Sequence, residues 1–244
     1  MNAALAPDII LPERGGAAAI AAATWVVIAA YNEASAIGPV VTELTTSFPN
    51  VVVVDDGSRD HTAATASTAG ATVLQHCINL GQGAALQTGI DYALARGAAF
   101  VATFDADGQH RPNDIFGLIN RLEETGADVA LGSRFLGQTE GLDPLRRRVL
   151  QMAVVFQRLT SGARLTDAHN GLRVFRRNAA ALIRIRQNRM AHASELIAQI
   201  MAHHLRIVEA PCTIRYTAYS RAKGQKLTGA AEILLDLVIR RMYR

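Results

Sequence analysis

Two carboxylates two residues apart, in Asp105-Ala106-Asp107-Gly108-Gln109-His110, are the groups best suited to chemistry in this 244-residue chain. They follow the apolar run at 98–104, which has the length of a buried strand. Carboxylates at i and i+2 past a strand end can converge once the chain bends. Hard oxygen donors of this kind suit Mg2+ or Mn2+ holding a diphosphate. Gln109 offers a third oxygen. A solvated acidic turn, with Gly108 supplying the bend, has the same local pattern, so the rest of the chain must distinguish the two.

Comparable clusters stand elsewhere. The apolar run at 51–54 leads into Asp55-Asp56-Gly57-Ser58-Arg59-Asp60. The paired carboxylates there can accept hydrogen bonds from a base edge or a ribose hydroxyl, and Asp60 can cap the next helix. Asn79-Leu80-Gly81-Gln82-Gly83-Ala84 permits close approach of a ligand to the backbone, or equally a structural turn. Asp167 is a candidate general base for a hydroxyl nucleophile, which must lose its proton to attack, whereas an already ionised nucleophile needs none. A turn or cap carboxylate is the alternative reading of Asp167.

The elements that would position these groups alternate. Residues 1–23, Ala-rich and punctuated by Pro7, Pro12, Gly15 and Gly16, read as a loose N-terminal arm and not as a signal peptide. Strands are expected at 24–30, 50–54, 72–75, 98–104 and 129–131, with helices at 34–47, 83–95 and 112–124. That order predicts an α/β fold whose mostly parallel sheet is covered on both faces and binds ligands past its strand ends. Farther on, 191–204 reads as a helix with His192, His203 and His204 at the surface, and 206–209 and 213–216 read as strand-like. Two segments join cations to apolar helices: Arg146-Arg147-Arg148 heads the run at 144–160, and Arg240, Arg241 and Arg244 end the run at 227–244. Such segments suit either core packing or an anionic membrane surface.

Charge divides the chain. Residues 1–133 hold 5 Arg against 14 acids, net −9, and residues 134–244 hold 20 basic residues against 7 acids, net +13. An acidic half with metal ligands and a basic half with anion contacts fit an anionic substrate or membrane surface. Nucleic acid is disfavoured, because the basic half lacks aromatics spaced as a stacking platform. Half of the residues are apolar, ample for a core, yet no run approaches the ~20 apolar residues of a membrane span. Cys77 and Cys212 have neither zinc nor disulfide spacing, which suits a reduced, cytoplasmic setting.

Tyr31-Asn32-Glu33, Val54-Asp55-Asp56-Gly57-Ser58 with Asp60 and Thr62, Asn79-x-Gly81-x-Gly83 and Asp105-Ala106-Asp107-Gly108-Gln109-His110 together resemble family 2 glycosyltransferases of the GT-A fold. The likeness is greatest to the branch with dolichyl-phosphate mannose synthase and bacterial polyprenyl-phosphate glycosyltransferases. It implies a Rossmann-like single domain, with a nucleotide-sugar-binding half at 24–133 and a basic acceptor-side half at 134–244 that ends in a helical extension. It implies nucleotide contacts from Ala30, Tyr31, Glu33, Asp55, Asp56, Gly83 and Asp105, and a Mg2+ or Mn2+ site of Asp105, Asp107 and Gln109. Gly132-Ser133-Arg134 and the segment from Asp167 to Arg173 resemble the family's acceptor-side motifs, with Asn170 and Leu172 departing from the usual residues. Arg134, Arg173, Arg221 and Lys223 would then meet acceptor phosphate or donor diphosphate, Asp107, Asp167 and Arg134 would be catalytic, and Glu195 would face the site. The activity implied is inverting transfer from a nucleotide-diphosphate sugar to polyprenyl phosphate, or else to a saccharide hydroxyl of a growing glycan. A sugar nucleotidyltransferase would want a Gly-rich basic loop where Tyr31-Asn32-Glu33 stands, and a non-catalytic sugar-nucleotide binder would not need both Asp105 and Asp107. Peripheral membrane contact, direct or through a small anchor protein, completes the expectation.

Overall fold

The computed structural model describes residues 16–140, 154, 165–167, 170–187 and 191–215. Runs rich in β-branched and apolar residues form the first four strands: β1 (Thr24–Ala30), β2 (Asn50–Asp55), β3 (Thr72–Gln75) and β4 (Phe100–Asp105). They continue with β5 (Val129–Glu140), β6 (Arg173–Arg176) and β7 (Ile207–Arg215) into one seven-stranded sheet of order β3-β2-β1-β4-β6-β5-β7. β6 runs antiparallel to both its neighbours, and every other pairing is parallel. The sheet is therefore mostly parallel, as expected.

Helices cover both faces. On one lie α1 (Ala17–Ala23), α2 (Ala34–Thr45), α3 (Thr62–Thr68) and α5 (Asn113–Thr125). On the other lie α4 (Gln82–Ala95), α6 (Arg177–Leu182) and α7 (Ala191–Ala202). β1 shows why two layers are needed: Val26, Ile28 and Ala30 belong to the first core and Val27 to the second, all buried. The period of two sends alternate side chains to opposite faces. α2 answers with Ile37, Val40, Val41 and Leu44, and α5 with Ile115, Leu118, Ile119 and Leu122, each at helical spacing and buried.

Three expectations are corrected. Residues 17–23 are not part of a loose arm but a helix, because an unbroken run of Ala and Ile has high helix propensity and Ala21 is buried against the sheet. The two strand-like stretches after 206 are one strand, in which Pro211 is accommodated where the β5–β7 register shifts. The fifth strand runs to Glu140, well beyond Leu131, because β7 pairs with it on both sides of that irregularity.

Candidate functional site

From β1 the chain steps outward to β2 and β3, then returns to the other side of β1 as β4. Connections therefore leave β1 and β4 in opposite directions, and a crevice opens at their carboxyl ends. A cavity of about 480 Å3 occupies it, bounded by Ala30, Tyr31 and Glu33 at and past the end of β1, by Asp105, Ala106 and Asp107 at and past the end of β4, and by Arg173 and His192 on the far side. The turn after β1 needs a left-handed residue, supplied by Asn32 at φ 53°. Its side-chain oxygen accepts the Arg59 N–H at 2.9 Å, while its own N–H is donated to Ser58 Oγ at 2.9 Å. Tyr31 and Glu33 are thus fixed at the mouth by the turn that follows β2.

Asp105 sits against His110, whose Nε2 lies 3.1 Å from Oδ2. Burial opposes its charge, but the His110 hydrogen bond and the fields of His110, Arg173 and His192 outweigh that and hold its carboxyl below the ordinary aspartate value. Asp107 behaves oppositely: burial, then the negative charge of Asp105, push its carboxyl up despite the N–H groups of Gln109. Two half-buried carboxylates that repel each other make a cation-seeking pair. Gln109 supports the second of them, donating Nε2–H to Asp107 Oδ2 at 2.6 Å and its backbone N–H to Oδ1 at 3.1 Å. No three His, Cys, Asp or Glu side chains converge on a metal-sized point among the described residues. The donor set therefore suits a hard divalent ion that completes its shell with phosphate oxygens and water, as Mg2+ commonly does.

Arg173, at the start of β6, faces the same cavity and is 3% exposed. Its guanidinium makes no hydrogen bond or ion pair among the described residues; it feels Asp105 and Asp167 only through space, and burial lowers its pKa below the ordinary arginine value. A buried cation with no such partner among the described residues is suited to an anionic ligand.

The expected residues separate into two groups. Ala30, Tyr31, Glu33, Asp56, Asp105, Asp107 and Arg173 line the cavity. Asp55 stands behind it, buried, accepting from Ser58 N–H at 3.1 Å and Gln75 Nε2 at 3.3 Å. Gly83 is a packing position, since a Cβ there would overlap the Gln187 carbonyl oxygen. Asp167 and Arg134 hold each other: Oδ2 accepts Nε–H at 2.6 Å and the Arg134 backbone N–H at 3.1 Å, with both side chains largely buried. Arg221, Lys223, the Arg146-Arg147-Arg148 segment and the helix expected at 227–244 lie outside the described residues.

Two expectations about α7 fail. Glu195 does not face the cavity; its carboxylate accepts the backbone N–H groups of Arg186 at 3.0 Å and Gln187 at 2.8 Å. His203 and His204 are exposed, but His192 is buried in the cavity wall. The signal for His192 was present: it precedes Leu196 and Ile200 at intervals of four, on the buried stripe of the helix.

Residues 25–183 match the profile of Glycosyl transferase family 2. Among similar proteins, the UDP-N-acetylglucosamine--dolichyl-phosphate N-acetylglucosaminyltransferase of Methanococcus voltae is 30% identical over 240 residues, covering 89% of this chain and 96% of that one. The polyprenol monophosphomannose synthase of Mycolicibacterium smegmatis is 35% identical over 164 residues, covering 63% of this chain and 62% of the other. Among solved structures, glucosyl-3-phosphoglycerate synthase from Mycobacterium tuberculosis, in complex with Mn2+ and UDP-glucose, superposes with a TM-score of 0.69 at 18% identity, covering 92% of this chain and 80% of that one. That likeness establishes the GT-A fold.

Proposed function

This chain belongs to glycosyl transferase family 2, and on that premise we propose that it transfers a sugar from a nucleotide-diphosphate sugar to a polyprenyl phosphate. The observation that carries the reading is the juxtaposition, in one cavity, of the Asp105–Asp107 carboxylate pair with the buried guanidinium of Arg173, which has no hydrogen bond or ion pair among the described residues. The carboxylates suit the donor's metal-bound diphosphate, and the arginine suits a second anionic group. Relatives named for transfer to dolichyl phosphate and polyprenol support the same acceptor class.

Mg2+ or Mn2+ would be held by Asp105 and Asp107, with Gln109 beside them, and would supply positive charge to the departing diphosphate. The chain's own residues do the rest. Tyr31 and Glu33 frame the mouth for the nucleotide. Arg173 offers its charge where an acceptor or donor phosphate enters, in a dry wall where each charge–charge contact counts for more than in water. A phosphate nucleophile needs no general base, and the bonding of Asp167 favours such an acceptor. Its Oδ2 is engaged by Arg134, so the carboxylate's evident work is to hold that arginine. Inversion at the anomeric carbon follows from attack opposite the leaving diphosphate.

No helix among the described residues is long and apolar enough to cross a membrane. Superficial contact with the lipid surface bearing the acceptor belongs to the same proposal, supported by the cationic segments of the second half. The test is transfer of radiolabelled sugar from a panel of UDP- and GDP-sugars into undecaprenyl or dolichyl phosphate, with Mn2+, Mg2+ or EDTA. A labelled lipid product that requires metal is expected. Label entering only free saccharides, together with a large loss of rate in Asp167→Asn at unchanged donor binding, would replace the lipid acceptor with a glycan hydroxyl.

A further inference from the structure

Asp56 lies at the carboxyl end of β2 with its carboxylate against the cavity wall, yet the protein itself uses most of its acceptor capacity. Oδ1 accepts the Leu80 N–H at 2.9 Å and lies 2.7 Å from His76 Nδ1, and Oδ2 accepts the Gly81 N–H at 2.7 Å. The other ring nitrogen of His76, Nε2, is 3.0 Å from Thr88 Oγ1 on α4. Asp56 and His76 are both largely buried, and the His76 backbone N–H is itself donated to the Asp55 carbonyl at 2.9 Å. The loop from His76 to Gln82 is thereby drawn down between β2 and α4. Gly57, at φ 70°, lets it close: a Cβ there would stand 2.6 Å from the Ile78 carbonyl carbon and 2.8 Å from the Asn79 nitrogen. Three residues of this loop, Asn79, Gly81 and Gln82, form one side of the cavity.

We infer that Asp56 and His76 act together as a latch that shapes the donor-side wall of the cavity, so that Asp56 is a positioning residue for nucleotide binding. A carboxylate oxygen has about two good acceptor directions. Oδ1 already serves two N–H groups if His76 carries its proton on Nδ1, the tautomer that also leaves Nε2 to accept from Thr88. One acceptor direction of Oδ2 remains for a ligand, while two backbone N–H groups and the imidazole depend on the carboxylate for their partner. His76 has no place in the cavity lining, so its removal reaches a ligand only through the loop. The inference rests on the donor-site reading given above.

The experiment compares wild type with His76→Ala, His76→Gln and Asp56→Asn. It follows amide hydrogen exchange at Leu80 and Gly81 by NMR, and UDP and GDP binding with Mn2+ by calorimetry. Loss of one charge-assisted bond is expected to accelerate exchange at both amides roughly tenfold or more in His76→Ala and to weaken nucleotide binding by a similar factor. His76→Gln keeps a donor for Asp56 and should recover most of both effects. The double variant His76→Ala/Asp56→Asn should bind no more weakly than the worse single variant, because both changes open one latch. Wild-type exchange and affinity in His76→Ala, beside lost affinity in Asp56→Asn, would overturn the inference and make Asp56 a direct ligand contact. If wild type bound neither nucleotide, the donor-site reading would fall, while the amide exchange would still decide whether the latch exists. Far-UV dichroism of each variant separates loop opening from global unfolding.

Discussion

Gly171 shows how closely the candidate metal site is fitted around its carboxylates. The Thr103 hydroxyl, buried on β4, donates to the Gly171 carbonyl at 2.7 Å, and the Asn170 side chain is fixed by Cys212 Sγ on one side and the Leu172 N–H on the other. This pins the Gly171 peptide over Asp105, where a Cβ would overlap both carboxylate oxygens. In Gly171→Ala the short Asp105 side chain must swing away from its place beside Asp107. The cost therefore falls on function first. Mn2+ binding followed by electron paramagnetic resonance should weaken by roughly tenfold or more, with the chain still folded, since the loss of one ligand of a hard-ion site is worth at least one strong polar contact. Unchanged Mn2+ affinity would mean that Asp105 is not a ligand. The sequence showed that Asp105 and Asp107 adjoin a strand end, but not that residue 171 caps them, because that contact spans 66 positions and exists only once β6 has entered the sheet.

At the scale of elements, the sequence was legible where periodicity is strong and local. β1 and β3 begin and end where the β-branched runs do, and α2, α4 and α5 follow their apolar spacing to within about two residues. β6 was not legible: its four residues begin and end in arginine, and what makes them a strand is the pairing of Val174 and Phe175 between β4 and β5. Gly83 read as a ligand-binding glycine, and the structure gives it a different reason. It lets the backbone at Gln187 pass over the start of α4, where Ile185 N–H is also donated to Gln87 Oε1 at 2.7 Å. Gly83→Ala sets a helix-propensity gain of at most ~1 kcal/mol against overpacking onto a backbone carbonyl that has no rotamer to relax, worth about 1–3 kcal/mol. Overpacking should win, with the thermal midpoint falling by several degrees; an unchanged or raised midpoint would contradict that packing.

Asp60 joins two other elements. It accepts from Ala34 N–H at the start of α2 and from the hydroxyl and N–H of Thr62 at the start of α3. Burial works against its charge, but these donors together, the Thr62 hydroxyl first, outweigh it and hold the carboxyl below the ordinary aspartate value. A carboxyl lowered by folding stabilises the native state above its unfolded pKa, and that contribution disappears as pH falls through the lower folded value. At neutral pH Asp60→Asn should therefore cost under about 1 kcal/mol, the range of an exposed, solvent-screened cap. Once pH falls below the lowered folded value, the two proteins should converge in urea unfolding. A gap that persists or widens in acid would show that the side chain stabilises by shape and not by charge.

For the molecule as a whole, the decisive feature is the division of charge between halves that fold into one sheet. The acidic half carries β1 to β4 and the carboxylate pair, and the basic half adds β6 and β7, bringing Arg173 to the same cavity. Among the described residues Arg173 is the one arginine of the basic half that lines the cavity, and the net +13 of residues 134–244 suits a larger anionic partner as well. A lipid surface fits better than a soluble acceptor, because polyprenyl phosphate resides in a bilayer and basic residues near anionic head groups contribute about 1 kcal/mol each. The protein should therefore co-sediment with vesicles containing phosphatidylglycerol and not with pure phosphatidylcholine vesicles. That binding should fall steeply between about 0.05 and 0.5 M salt as the Debye length shrinks from roughly 14 to 4 Å. Replacing Arg146, Arg147 and Arg148 with Gln should weaken it severalfold, because three adjacent cations at the head of an apolar run suit anionic head groups. Equal binding to neutral and anionic vesicles would assign the attraction to apolar insertion. No binding to either would count against direct membrane contact.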